Sequence, residues 1–161
     1  MALADFIPPE GQRRIADAIT DAERHTTGEI CVHVTPRCRY NVMKRAVKTF
    51  NRLHLYTTKR RNAVLIFIAY EDRKLAILGD TAINEAVPEG FWDCEVEELT
   101  RYLKAGRPVD GLCAIIARMG KRLSEYFPGE RDNENELSND VTFDDLDDDN
   151  DDHDEDYGNM E

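Results

Sequence analysis

Residues 62–80 read NAVLIFIAYEDRKLAILGD, and the fold turns on how this stretch is divided. Its first part, AVLIFIAY, is almost wholly apolar and rich in branched side chains. A strand wetted on one face alternates apolar and polar residues, whereas one covered on both faces need not, so this run reads as a central strand. EDRK is a short polar turn, and LAILGD resumes as a second strand. Parallel neighbours need a crossover of roughly a dozen residues or more, so so short a link predicts an antiparallel hairpin.

Upstream, TTKRRN is a polar connection, preceded by a helix that Asn41 can cap and whose apolar stripe is Met43, Ala46, Val47, Phe50 and Leu53. EICVHVTP alternates Ile30, Val32 and Val34 and stops at Pro36, which predicts a strand with His33 on the face opposite the valines. Residues 10–25 place Ile15, Ala18, Ile19 and Ala22 on one helical stripe behind Pro8 and Pro9, which suit a helix start. Downstream, TAINEAVPEGF reads as irregular. Trp92, Val96, Leu99, Tyr102 and Leu103 then mark a helix ended by Gly106 and Pro108, and Asp110 can cap another with the stripe Leu112, Ile115, Ile116, Met119 and Leu123. The order α-β-α-β-β-α-α predicts an α/β fold with about four helices on both faces of a small mixed sheet.

The chain has 161 residues and a formal net charge of −12, unevenly spread. Residues 129–161 hold sixteen acids and one base, Arg131, so that end carries −15 and residues 1–128 carry +3. Two parts are expected: an α/β domain over residues 1–143 and a disordered acidic tail over 144–161. Like charges repel and leave too little apolar surface to offset chain entropy. An EF-hand loop starting at Asp145 would need Gly at its sixth position and Glu at its twelfth, where Asn150 and Asp156 stand. Cys31, Cys38, Cys94 and Cys113 form no C-x-x-C pair, and Cys31 and Cys113 lie in apolar runs, which suits a reducing compartment. Residues 1–14 show no basic start followed by an apolar stretch, and no run is long enough to span a bilayer, so a cytoplasmic location without a membrane segment is expected.

The motifs of serine hydrolases, P-loops, dinucleotide-binding folds and zincins are absent, and His25, His33 and His54 are isolated from one another in sequence. Topology offers a better candidate. If the strand at 30–35 runs parallel to that at 63–70, and the strand at 74–79 antiparallel, the loops TTGE, KRRN and GDTAIN meet at one sheet edge. Glu29, Asn62, Asp80 and Asn84 then gather there, with Trp92 and Asp93 arriving from the FWD loop. Carboxylate, amide and carbonyl oxygens suit a hard cation such as Ca2+. The plainer reading is that Gly79 and Asp80 make a turn and Glu29 finishes a strand end.

A second feature is electrostatic. Residues 30–70 contain no acid and nine bases, among which Lys44, Lys48 and Arg52 recur at i, i+4 on one helix. This stripe is either a solvated face or a place for an acidic protein, a phosphate or nucleic acid. The acidic tail is itself a candidate occupant, at high effective concentration and with salt sensitivity.

The ordered set T-x-G-E, R-N-x-V-L-I, I-L-G-D and F-W-D, with GLCAIIARMGKRLSEYFP and NELSNDVTF behind it, resembles the TPM domain, a family named for a thylakoid lumen protein, a photosystem II protein and an acetylcholine-receptor modulator. The similarity covers about residues 10–143 and is nearest the short bacterial branch without an anchor. It implies a Rossmann-like three-layer α/β/α sandwich. Plant relatives are described as acid phosphatases that assist photosystem repair, some members bind calcium, and others modulate membrane complexes. The family's signature loops fall on Glu29, Arg61, Asn62, Gly79, Asp80 and Trp92, and the resemblance implies a chain docked to the body until about Phe143. Many relatives carry a signal peptide and a membrane helix that this sequence lacks, and the acidic end lies outside the common pattern. Three functions follow as expectations. The first is a calcium-binding or partner-binding module. The second is a metal-dependent phosphatase in which a cation at Asp80 polarises a phosphoryl oxygen while Arg61 stabilises charge. The third is a scaffold or regulator using the basic stripe and the acidic tail.

Overall fold

The computed structural model describes residues 2–129 and 136–145. The apolar run forms β2 (Ala63–Ala69), buried along its whole length, and the hairpin partner is β3 (Lys74–Gly79). Before them come α1 (Leu3–Phe6), α2 (Pro9–Ala22), β1 (Glu29–Thr35) and α3 (Val42–Arg52), with a short 3-10 turn at Leu55–Thr57. After them come α4 (Thr81–Ala86), α5 (Asp93–Lys104), α6 (Pro108–Tyr126) and β4 (Thr142–Phe143).

The sheet order is β3-β2-β1-β4. β2 and β3 are antiparallel, with Val64 opposite Gly79. β1 runs parallel to β2 from the Glu29–Ala63 pair to the Thr35–Ala69 pair. β4 runs parallel to β1 through the pairs His33–Thr142 and Val34–Phe143. Because successive side chains on a strand point to opposite faces, each strand feeds two cores. Ile30, Val32, Val34, Val64, Ile66 and Ile68 pack with α2, α5 and α6 on one face. Cys31, Leu65, Phe67 and Ala69 pack with Ala46 and Phe50 of α3 on the other. The result is the expected three-layer α/β/α arrangement. The α2–α6 contact is close: a Cβ on Gly120 would sit 2.5 Å from the Ala22 carbonyl oxygen.

The four long helices lie where periodicity put them. α1, α4 and β4 are each too short to show a period in the sequence. TAINEAVPEGF reads as irregular, yet Asp80 accepts from Thr81 N at 2.7 Å and so caps a helix over its first half. On α3 the inner face is rotated from the expected stripe. Met43 is 42% exposed, whereas Arg45 and Thr49 are buried beside Ala46 and Phe50.

Residues 136–145 form a strap along β1. Leu137 packs into the α3-side core and Val141 into the other. The acidic stretch expected to be disordered lies outside the described residues from position 146 onward. Its first acid, Asp144, is described and is docked.

Candidate functional site

The sheet has two rims, and the expected site is the one where β1 and β2 begin. There the three turns do meet. Glu29 N donates to Asn62 O at 3.4 Å, Asp80 N donates to Ala63 O at 2.9 Å, and Asn62 Nδ2 donates to Thr27 Oγ1 at 3.0 Å. The acid oxygens gathered there already have protein partners. The fully buried Asp80 carboxylate takes Arg61 Nε and Nη2 at 2.8 Å each, besides capping α4. The same hydrogen bonds push the Arg61 guanidinium above its ordinary pKa. Arg61 itself sits at φ 52°.

Glu29, also buried, accepts from Leu137 N at 2.7 Å and Glu136 N at 3.2 Å, so it anchors the near end of the strap. Burial raises its carboxyl to about 7, the Glu136 side chain adds to the rise, and the two amide hydrogen bonds oppose it. Asn84 is exposed and donates to Gly79 O at 3.2 Å. Asp93 is exposed at the first residue of α5. Trp92 is buried edge-to-face on Phe91. Among the described residues, no group of three or more His, Cys, Asp or Glu side chains is placed to hold a metal ion.

The opposite rim, where β1 ends and β4 arrives, carries a constellation that sequence reading missed. Asp144 follows β4 directly. Its Oδ1 accepts from Thr35 Oγ1 at 2.8 Å and Arg45 Nη2 at 3.0 Å. Its Oδ2 lies 2.7 Å from His33 Nε2 and 3.6 Å from Arg52 Nη1. His33 Nδ1 lies 2.7 Å from the Thr142 hydroxyl, which also donates to Val32 O at 3.3 Å. Arg45 is fully buried, its guanidinium 5.6 Å from the Phe67 ring centroid, and Phe67 in turn stacks on His33. The pleat puts His33 and Thr35 on the α3 side, and the face of α3 turned toward the sheet supplies Arg45.

Of the expected basic stripe, Lys44 is exposed, Lys48 lies 5.8 Å from the Tyr40 ring centroid, and Arg52 reaches Asp144. A further buried acid, Glu95, takes Arg122 Nη1 at 2.8 Å through both oxygens and Arg118 Nε at 3.4 Å. Glu98 extends this α5–α6 network through Arg118. Beside the end of β2, a cleft of about 620 Å³ lies over Phe6, Tyr70, Leu75 and Leu103. Its Asp110 is paired with Arg14 and Arg107, which hold the carboxyl below its ordinary range. No helix among the described residues is long and apolar enough to cross a membrane.

Comparison with known proteins agrees with this architecture. No curated protein matches the chain. Among solved structures, the chain is similar to the NMR structure of the BA42 protein from the psychrophilic bacterium Bizionia argentinensis, at 38% identity and a TM-score of 0.78. That likeness covers 84% of this chain and 93% of the other. The family model for the TPM domain matches residues 1–122, a span that includes β1 to β3, both signature turns at Arg61 and Asp80, and most of α6. With the three-layer fold and the ordered loop motifs in place, the chain belongs to the TPM-domain family.

Proposed function

We propose that this TPM-domain protein is a binding module, and that its working surface is the α3 face with the carboxyl rim beside it, addressed to an acidic ligand such as an acidic segment of a partner protein. One observation carries the reading: the rim already holds a carboxylate, Asp144, on two arginines, a histidine and a threonine. Lys44 and Lys48 extend the positive surface along α3, within a stretch of sequence that holds no acid. Charges of one sign on one face steer an oppositely charged partner and weaken with salt.

The test is binding of a fluorescent polyglutamate peptide to the full chain and to a Lys44→Glu/Lys48→Glu variant. The wild type should bind at low ionic strength, lose affinity as salt rises, and exceed the variant by about tenfold or more. Equal binding by the two proteins overturns the reading.

The convergence of three turns at the amino rim favours a second reading, a divalent-cation site on Glu29, Asn62 and Asp80. A cation there would have to take Asp80 from Arg61 and Glu29 from the strap amides. Calcium titration followed by amide NMR decides it: shifts at Glu29, Asn62 and Asp80 support the site, and shifts confined to the acidic residues beyond 144 refute it. Phosphatase action at the same rim meets the same obstacle, since the arginine assigned to stabilise charge already pairs with the carboxylate assigned to the metal.

A further inference from the structure

We propose that the carboxyl rim is a phosphate-binding site whose present occupant, the Asp144 carboxylate, stands where a phosphate dianion would bind. The proposal deepens the binding-module reading by naming the ligand chemistry.

Position is the first argument. β1 connects through α3 to β2 on one side, while the chain reaches β4 on the other only after β3 and three helices. The carboxyl ends of β1 and β4 therefore flank the point where the order of the sheet reverses, and in open α/β sheets ligands settle in that crevice. Charge is the second. Arg45 and Arg52 both reach Asp144, so two guanidiniums meet one carboxylate there. A phosphate dianion would balance both arginines. Donor supply is the third. Arg45, Thr35 and His33 already converge on two carboxylate oxygens. One turn along α3 from Arg45, the buried Thr49 Oγ1 has no hydrogen-bond partner among the described residues. A tetrahedral anion offers more acceptor oxygens than a carboxylate, and arginine forks match phosphate geometry.

Burial sets the order of events. Arg45 is fully buried and the Asp144 side chain is 14% exposed, so a ligand reaches Arg45 only when Asp144 leaves. β4 is two residues long, with Asp144 N donating to Val34 O at 3.2 Å just beyond it. The carboxylate and its short strand are thus a tethered competitor, and a tether raises the competitor's effective concentration. Phosphate binding to the wild type should therefore be about tenfold or more weaker than to a chain lacking the Asp144 charge.

The experiment uses the full chain as wild type, Asp144→Asn, and the double variant Asp144→Asn/Arg45→Met, titrated with inorganic phosphate against chloride at equal ionic strength. Amide and histidine NMR shifts at His33 and Thr35 are read together with melting temperature. Asp144→Asn should bind phosphate at millimolar concentration and melt higher with it. The wild type should respond weakly, with shifts at Thr142 and Asp144 as the strap is displaced, and the double variant should not respond. O-phosphoserine in place of phosphate distinguishes a phosphorylated side chain from the free ion: tighter binding of either one assigns the source. If Asp144→Asn is unfolded without phosphate, refolding on its addition supports the site. Absence of response in both the single variant and the wild type overturns it, as does an equal response in the double variant. Loss of polyglutamate binding with intact phosphate binding would instead refute the α3-surface reading and leave this site standing.

Discussion

The two rims of this sheet solve the same problem in opposite senses. At the amino rim Asp80 pairs with Arg61 from the neighbouring turn, and Glu29 accepts from backbone amides at the near end of the strap. At the carboxyl rim a buried base, Arg45, waits on an acid that arrives from the far end of the chain. Asp80 and its partner are 19 residues apart, whereas Arg45 and Asp144 are 99 apart. A pair supplied by adjacent turns is a fixture of the fold. A pair supplied by a two-residue strand can open, and opening uncovers a cation. Under the proposed reading, binding belongs to the carboxyl rim and support to the amino rim.

The comparison can be broken most sharply at Arg45. Removing one partner of a buried ion pair costs about 3–5 kcal/mol, so Arg45→Ala should lower unfolding stability by that order and free the strap. Urea denaturation gives the loss, and amide exchange at Thr142 and Phe143 should rise with it. Next comes Arg61→Ala, which leaves Asp80 buried with only the α4 cap. About 2–3 kcal/mol should be lost, and amide exchange at β4 should stay as it is. An equal effect on the strap from both substitutions would mean that the rims are not separable.

The smallest effect tests Glu29 through pH. Burial raises its carboxyl from 4.5 to about 7, so between those values the folded chain holds a proton that the unfolded chain has lost. The stabilisation from this group is complete below 4.5 and disappears as pH rises through about 7. Urea midpoints should fall across that window, and Glu29→Gln should flatten the fall. An unchanged slope in the variant would assign the pH dependence elsewhere.

Much of this architecture could be read directly. The AVLIFIAY run, the short EDRK turn and the alternation at Ile30, Val32 and Val34 specify three strands, because burial on one or both faces leaves a periodic trace. The meeting of the Glu29, Asn62 and Asp80 turns followed from strand direction alone. Their pairing did not: Arg61 sits at φ 52°, a left-handed backbone that nothing in the residue type announces. The carboxyl-rim cluster was hidden for two reasons. Asp144 opens a run of ten acids in thirteen residues and looks like its neighbours. Arg45 is one of nine bases in an acid-free stretch, and a lone charge beside Ala46 is conventionally turned to water. Its one available signal was spacing: Arg45 and Thr49 stand at i, i+4 directly beside the apolar pair Ala46 and Phe50.

The strap has a further consequence for the outer border of the sheet. β1 is buried at every residue, and two residues of β4 complete its hydrogen-bonding row at His33 and Val34. When the strap lifts, an apolar strand border with unpaired amides and carbonyls faces other molecules, and such borders invite strand addition from a second chain. The fitting substitute is the strap of a neighbouring copy, whose Asp144 would meet the same arginine. Reciprocal exchange of that kind yields a swapped dimer without any new contact chemistry.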